Sequence, residues 1–366
     1  MTDRFDLVVA GASFAGLACA RAAALRGLNV LVVEKKSSPD AKLHTTGIIV
    51  KDAIDDIEWL RSIPAEAIRK VPGVRLFSPN LRSIDLHAPG YYFLTTDTPM
   101  LMQWMADECL RAGATINLNT TLRQLDENSG SLIVNKEIET RYLVGADGPN
   151  STVARIAGLG RNTEFLYGIE HEFEGLPLPD PDYLHCFIDR KLARGYIGWA
   201  VQGPRATQVG VAARMPHSRS SQAWMTALFD KIRPTVDTGS IAPASIRAGM
   251  IPCGGLVTPS ARRRIMLVGD AAGMVSPVTA GGIHNAVKHG LGAGNAIADH
   301  LHGQADDPAG WYADTYPRYQ LKVLARRIFD RFQSDAAFNL LLRSGAMRRL
   351  ASEIYFHRKA SYYRNL

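Results

Sequence analysis

The sequence predicts a discontinuous α/β fold, with a mixed or antiparallel sheet layer inserted into it and a helical tail behind. Three observations carry that prediction. An apolar strand, a glycine-rich turn and an alanine-rich helix open the chain between residues 5 and 25. Short strand-like runs, separated by Gly, Pro and charged turns, fill the stretch from about residue 164 to 250. From Trp311 onward the pattern is helical, with no strong strand signal.

Residues 5–10 alternate little and are rich in Val and Leu, as a parallel strand buried on both faces would be. Residues 11–25 read as a tight turn running into a helix, with Gly27 as its C-cap, and residues 30–34 as the next buried strand. Such a β-α-β unit takes a right-handed crossover. A second helix is predicted over 99–111, ahead of Gly113 and a strand over 115–118. Residues 141–145 form another short buried strand, which ends at the turn Ala146-Asp147-Gly148. In the inserted layer, strands are predicted over 184–188, 196–201 and 208–213, and residues 75–96 read as a hairpin of the same layer. Residues 264–269 return to a buried strand and 281–300 to a Gly/Ala-rich helix.

Composition bounds the function. At 366 residues, 46% hydrophobic and 21% charged, the chain has the balance of a globular protein of two or three structural units. Disorder, collagen and disulfide scaffolds are excluded, because a chain this long buries roughly 75% of its unfolded surface without staples. Cys19, Cys109, Cys186 and Cys253 form no C-x-x-C pair, so no metal cluster or redox couple is expected, and a reducing, cytoplasmic setting is. The apolar run over 7–25 is interrupted by Gly11, Ser13, Gly16 and Arg21, and it has neither a basic leader nor a cleavage signature, so neither a membrane span nor a signal peptide is expected. The net charge of +7 is gathered after Trp311, where eleven Lys and Arg face four acids. No nucleic-acid motif accompanies it, so no nucleic-acid partner is expected. An anionic membrane surface, an acidic ligand and a plainly solvated helical face remain as readings.

The turn Gly11-Ala12-Ser13-Phe14-Ala15-Gly16 follows a strand and opens a helix. Gly11 permits the turn, and the backbone through Ser13, Phe14, Ala15 and Gly16 can approach a pyrophosphate at the helix N-terminus. Ser13 stands where a second glycine is usual and is small enough to keep that approach open. Glu34, followed by Lys35, ends the second strand about 20 residues on, where an acid binds a ribose hydroxyl. The competing reading is a purely structural turn.

Two later motifs sharpen this. One is Gly145-Ala146-Asp147-Gly148-Pro149-Asn150-Ser151, continuing to Arg155. The other is Leu267-Val268-Gly269-Asp270-Ala271-Ala272-Gly273, followed by Ser276-Pro277-Val278-Thr279-Ala280-Gly281-Gly282-Ile283. In their order and spacing, over residues 5–305, the three motifs resemble the flavoprotein family of geranylgeranyl reductases and aromatic-ring monooxygenases. The ending S-P-x-x-x-G-G-I, with Ala286, Gly290 and Ala293 after it, looks most like the geranylgeranyl reductase branch. The resemblance implies FAD as cofactor, bound by a Rossmann-like domain at 1–74, 97–163 and 258–305. It implies a substrate-side sheet at 75–96 and 164–257, and leaves 306–366 as a helical region. By the same resemblance Gly269 and Asp270 serve the ribityl chain, Pro277, Gly281, Gly282 and Ile283 the flavin ring, Asp147 the pyrophosphate, and the Leu122 backbone the adenine. A plain Asx-turn is the other reading of Asp147. With a single dinucleotide site, NADPH or NADH as electron donor would bind only transiently.

The chain also departs from that family. Thr98 stands where relatives often carry an FAD-directed Arg. The segment Lys42-Leu43-His44-Thr45-Thr46-Gly47 lacks the Cys of geranylgeranyl reductases, and Gly195-Tyr196-Ile197-Gly198-Trp199-Ala200-Val201 only partly echoes their Y-x-W-x-F-P. The W-x-W-x-I-P of flavin halogenases is absent. His44, Thr45 and Thr46 from the flavin-face loop, with Tyr196 and Trp199 from the sheet, are the candidates for catalysis. His44 could serve as a general acid, and the aromatic pair has core packing as its alternative. The expected activity is reduction of carbon–carbon double bonds in a hydrophobic, isoprenoid-like small molecule. A flavin monooxygenase of an aromatic or polyketide-like substrate is the alternative, and a non-catalytic prenyl carrier a third. Weak peripheral membrane contact through the basic tail is expected in addition, although its apolar residues Leu324, Ile328, Phe332, Phe338, Leu340 and Leu341 are expected mainly to pack inward.

Overall fold

The computed structural model describes residues 3–128, 130–215, 220–239 and 241–356. The chain divides into two units, each assembled from three separated segments: Met1–Lys42, Pro99–Glu164 and Pro252–Gln320 in the first, Leu43–Thr98, Phe165–Ile251 and Leu321–Leu366 in the second.

In the first unit, strand Asp3–Ala10 pairs in parallel with Ile138–Gly145 on one side and Val30–Val33 on the other. Thr115–Asn117 and Ile265–Leu267 extend the parallel sheet at its two ends. The central strands are Val- and Leu-rich because both faces are covered: Leu7, Val8, Val9 and Val30 to Val33 are all buried. Helix Phe14–Leu25 starts at Ser13, whose hydroxyl accepts the Gly16 amide at 3.2 Å. It lies against helix Ile283–Leu301. A Cβ at Gly290 would run into the Ala15 carbonyl, and one at Gly294 into the Cys19 carbonyl, so glycine lets the two backbones meet.

The second unit holds a seven-stranded sheet in the order Ser245–Pro252, Phe165–Glu174, Ala206–Arg214, Gly198–Gln202, Tyr183–Phe187, Gly73–Phe77, Ser83–His87. Tyr183–Phe187 pairs antiparallel with Gly198–Gln202 and parallel with Gly73–Phe77, so the sheet is mixed. Helix Ser221–Ile232 buries Trp224, Met225, Leu228 and Ile232 in a core shared with Phe173, Phe187 and Val209. A second core gathers Cys186, Trp199 and Val201 with Leu342, Ala351 and Phe356 of the tail.

Several expectations need correction. Residues 75–96 are not one hairpin of the large sheet: Phe93–Thr96 joins Ile49–Val50 and Ile68–Val71 in a separate three-stranded sheet. That pairing places 43–74 in the second unit rather than the first. The 196–201 strand begins at Gly198, leaving Tyr196 in the preceding loop. Residues 252–257 belong to the first unit, and the tail divides at Gln320 instead of standing apart. Ile265–Leu267 is shorter than expected, and Gly269–Ala272 forms a one-turn helix after it. Helix Ile283–Leu301 starts after Gly281, with Gly282 as its N-cap. In the tail, Phe338 packs on the core, whereas Leu324, Ile328, Phe332, Leu340 and Leu341 are exposed rather than packed inward. Arg358, Lys359 and Arg364 lie outside the described residues. Among the described residues, no helix is long and apolar enough to cross a membrane.

Candidate functional site

In the first unit the opening turn is shaped by its neighbours. Gly11 holds φ +107°, and a Cβ there would sit 2.5 Å from the Ala146 oxygen. The Ser13 hydroxyl donates to that same oxygen at 3.0 Å. At the head of the helix the Phe14 and Ala15 amides make no hydrogen bond among the described residues, so two donors with the helix dipole behind them face outward from the turn. Glu34 accepts the Ala12 amide at 2.7 Å on one oxygen and the Lys36 amide at 2.9 Å on the other. A carboxylate has about four acceptor positions, so both oxygens can still take a ribose hydroxyl. Lys35 is exposed beside it. Leu122 is buried, and its backbone makes no hydrogen bond among the described residues.

Asp147, expected at the pyrophosphate, commits its carboxylate to a local cap: the Ser151 hydroxyl and the Thr152 amide donate to it at 2.6 Å and the Val153 amide at 3.1 Å. That is the Asx-turn alternative. Asp270 behaves differently. It follows Gly269 in the one-turn helix, and its carboxylate has no hydrogen-bond partner among the described residues. Burial alone pushes it up to about 6. A Cβ on Gly282 would come 3.6 Å from its Oδ1. The turn between them is closed by Ser276, whose amide donates to the Gly281 carbonyl at 3.0 Å, with Pro277 inside that loop. The Gly282 and Ile283 amides carry no hydrogen bond among the described residues. Tyr319, which the motifs do not mark, accepts from Asn285 Nδ2 at 2.6 Å and donates to the Met274 carbonyl at 3.2 Å, tying the loop to the helix head.

This donor and acceptor set fits FAD. Helix-head amides suit the pyrophosphate, Glu34 the ribose, the Leu122 backbone the adenine and the unpartnered Asp270 carboxylate a ribityl hydroxyl. The Gly282 and Ile283 amides suit the electron-rich edge of the ring.

The second unit holds a buried polar network that the motifs did not reveal. Glu170 and Glu172 alternate on strand Phe165–Glu174 and so point to the same face. Arg247 lies between them, with Nη2 2.7 Å from Glu172 Oε2 and Nη1 3.9 Å from Glu170 Oε1. Its Nη1 also donates to the Thr45 carbonyl and the Thr98 hydroxyl, both at 3.1 Å. Gln208 donates to the Thr46 carbonyl and to Glu172 Oε1, each at 3.2 Å. Burial raises the Glu170 carboxyl to about 7 against the opposing pull of the Trp199 hydrogen bond and the Arg247 charge.

Trp199 therefore has a defined place. Its indole N–H donates to Glu170 Oε2 at 2.8 Å, and the ring covers Gly210 within the core. Tyr196 packs on the same core from the loop before the strand. Thr46 enters the network through its carbonyl. His44 is exposed, with Nδ1 2.7 Å from the Ala248 carbonyl. The structure thus brings Thr46 and Trp199 into one network through Gln208, Glu172, Arg247 and Glu170, while the His44 ring meets the Ala248 carbonyl instead.

Three similarities bear on this arrangement. Digeranylgeranylglycerophospholipid reductase 2 of Methanosphaera stadtmanae is 29% identical over 310 residues, covering 80% of this chain and 77% of that protein. The crystal structure of a geranylgeranyl bacteriochlorophyll reductase-like protein from Thermoplasma acidophilum superposes with a TM-score of 0.82 at 20% identity, covering 98% of both chains. The p-nitrophenol 4-monooxygenase of Pseudomonas putida shares the fold at a TM-score of 0.73 and 14% identity, with both chains fully covered (100%). The family model described as FAD binding domain matches residues 4–328, and the chain belongs to that family.

Proposed function

We propose that this FAD-dependent oxidoreductase reduces carbon–carbon double bonds in the isoprenoid chains of a lipid. The observation that carries the reading is the similarity, over four-fifths of the chain, to a reductase named for a digeranylgeranylglycerophospholipid. Each double bond reduced takes up a hydride and a proton. FAD, when bound, supplies the hydride. Among the chain's own groups, Glu170 can hold a proton near neutral pH at Oε1, the oxygen that the Trp199 indole does not occupy. The Trp199 indole and Arg247, itself paired with Glu172, hold that carboxyl in place. His44, Thr46, Tyr196 and Trp199 remain proposed for the reaction chamber, with Trp199 acting through Glu170.

The substrate's solubility adds a second requirement. An isoprenoid lipid resides in membranes, and the exposed apolar side chains of helix Gln320–Phe332 offer a face for peripheral contact with them.

The test uses the full-length, FAD-loaded protein, reduced anaerobically with dithionite so that no particular electron donor is assumed. Mixed with a geranylgeranyl glycerolipid, it should return product heavier by two hydrogens per double bond. Oxygen consumption with a hydroxylated aromatic product would instead establish the monooxygenase. Tight prenyl-lipid binding without turnover would establish the carrier.

A further inference from the structure

In the second unit, the loop over 188–197, the end of strand Ala206–Arg214 and helix Gln320–Phe332 border a solvent-open cavity of about 390 Å³. Its lining is Arg190, Arg194, Arg214, Arg327, Arg331 and a single acid, Asp330. That acid is already engaged, with Oδ2 3.0 Å from Arg214 Nε and Oδ1 3.0 Å from the Nε of the buried Arg326. The side chains of Arg190, Arg194 and Arg331 have no ion pair among the described residues. Guanidinium groups gathered this closely repel one another, and a polyvalent anion among them relieves that repulsion. Arginine is also the side chain whose planar fork matches phosphate oxygens two at a time.

The wall of the cavity is held in place before any ligand arrives. Asp189 Oδ1 accepts the Lys191 and Leu192 amides at 2.8 and 3.1 Å. The Arg190 amide donates to Asp335 Oδ1 and the Gly195 amide to Gln333 Oε1, both at 2.7 Å. The Arg214 amide donates to the Arg194 carbonyl at 2.9 Å. The loop backbone is thereby pinned to the tail helices and the sheet, which leaves the guanidinium groups to meet a ligand without first ordering the chain that carries them.

Helix Gln320–Phe332 decides what kind of molecule brings the anion. Arg327 and Arg331, four residues apart, line the cavity from one side of the helix. Leu321, Leu324, Ile328 and Phe332 form the adjoining stripe, and Leu321 and Phe332 are 82% and 72% exposed. An apolar strip bordering an arginine-lined hollow matches an amphiphile with a phosphate head.

We propose that this cavity binds a phosphate group, namely the headgroup phosphate of an isoprenoid phospholipid. The lipid part of this assignment rests on the function proposed above; the phosphate part rests on the arginines alone. Binding is measured by calorimetry on the full-length, FAD-loaded protein at low salt. Four probes are compared: short-chain phosphatidylglycerol below its micellar threshold, the diacylglycerol of the same chains, inorganic phosphate, and NADPH. The phosphatidylglycerol should bind at least about tenfold more tightly than the other three, and more weakly as salt rises. The double substitution Arg190→Gln with Arg331→Gln should lower that affinity by about tenfold to hundredfold, with an unchanged flavin spectrum and melting temperature. Wild-type affinity in the double variant would overturn the site. Equal binding of inorganic phosphate, or tighter binding of NADPH, would overturn the lipid assignment. Reduction of a phosphate-free geranylgeranyl glycerol ether tests the catalytic reading separately: that activity can fail while arginine-dependent phospholipid binding persists, or persist while the binding fails.

Discussion

Burial raises the Asp270 carboxyl from its ordinary acidic range to about 6, and no group of opposite charge offsets it. The folded protein therefore holds more protons there than the unfolded chain between pH about 4 and about 6, and the side chain becomes a net penalty as pH rises through that window. Above it the penalty is constant and on the order of 1–3 kcal/mol. Asp270→Asn should accordingly stabilise the FAD-free protein by up to that amount at pH about 8, with a smaller effect at pH about 5, in urea titrations. Asp270→Ala should weaken FAD binding by about 5- to 150-fold, because a ribityl hydroxyl loses its acceptor. A destabilised Asn variant at the higher pH, or unchanged FAD affinity in the Ala variant, would show that the carboxylate has another role. Asp270 is legible in the sequence because it closes a glycine-marked turn after an apolar strand. Glu170 is not: its partners Trp199 and Arg247 are 29 and 77 residues away, and no local spacing joins them. What the sequence does hold is the alternation of Glu170, Glu172 and Glu174 toward the end of one strand, which marks acids on one face without naming the cation between the first two.

At the scale of elements, the contact between helices Phe14–Leu25 and Ile283–Leu301 governs how the glycine-rich turn over 11–16 and the Gly282 N-cap are held within the first unit. Gly290 and Gly294 lie four residues apart on one helix face, and at each of them a methyl group would meet a backbone carbonyl of the partner helix. Gly294→Ala should therefore lower stability by about 1–3 kcal/mol despite the better helix propensity of alanine, through overpacking against backbone that cannot rotate away. Gly310→Ala is the control, since a Cβ there meets nothing within 4 Å. Equal denaturation midpoints for the two variants would mean that the helices yield without strain. The small residues of this seam are readable from composition and period. The start of strand Gly198–Gln202 is not, because the loop before it is fixed by Gln333, on the distant tail, through the Gly195 amide. Long-range partners of that kind shift element ends that local propensity places only within a few residues.

Across the whole molecule, the same limit explains the misplaced boundary of the first segment. Residues 43–74 carry no change of composition; their placement follows from Ile49–Val50 and Ile68–Val71 pairing with Phe93–Thr96, a contact between segments far apart in sequence. Charge, by contrast, is legible at this scale: the first 310 residues are neutral overall, and the formal excess of +7 lies beyond them. Leu321, Leu324, Ile328 and Phe332 are exposed within this basic region. Burying one such side chain in a lipid surface contributes about 1.5–3 kcal/mol, and each basic residue near anionic headgroups about 1 kcal/mol more. Their sum favours attachment, whereas the charge part alone disappears within a Debye length as salt rises. The protein should therefore sediment with vesicles containing anionic lipid at low salt, less with purely neutral vesicles, and detach partly as salt is added. Replacing Leu321 and Phe332 by Ser should weaken binding to both vesicle types, because neither side chain supports the core. If anionic vesicles at low salt leave the protein in the supernatant, the exposed stripe has no membrane role.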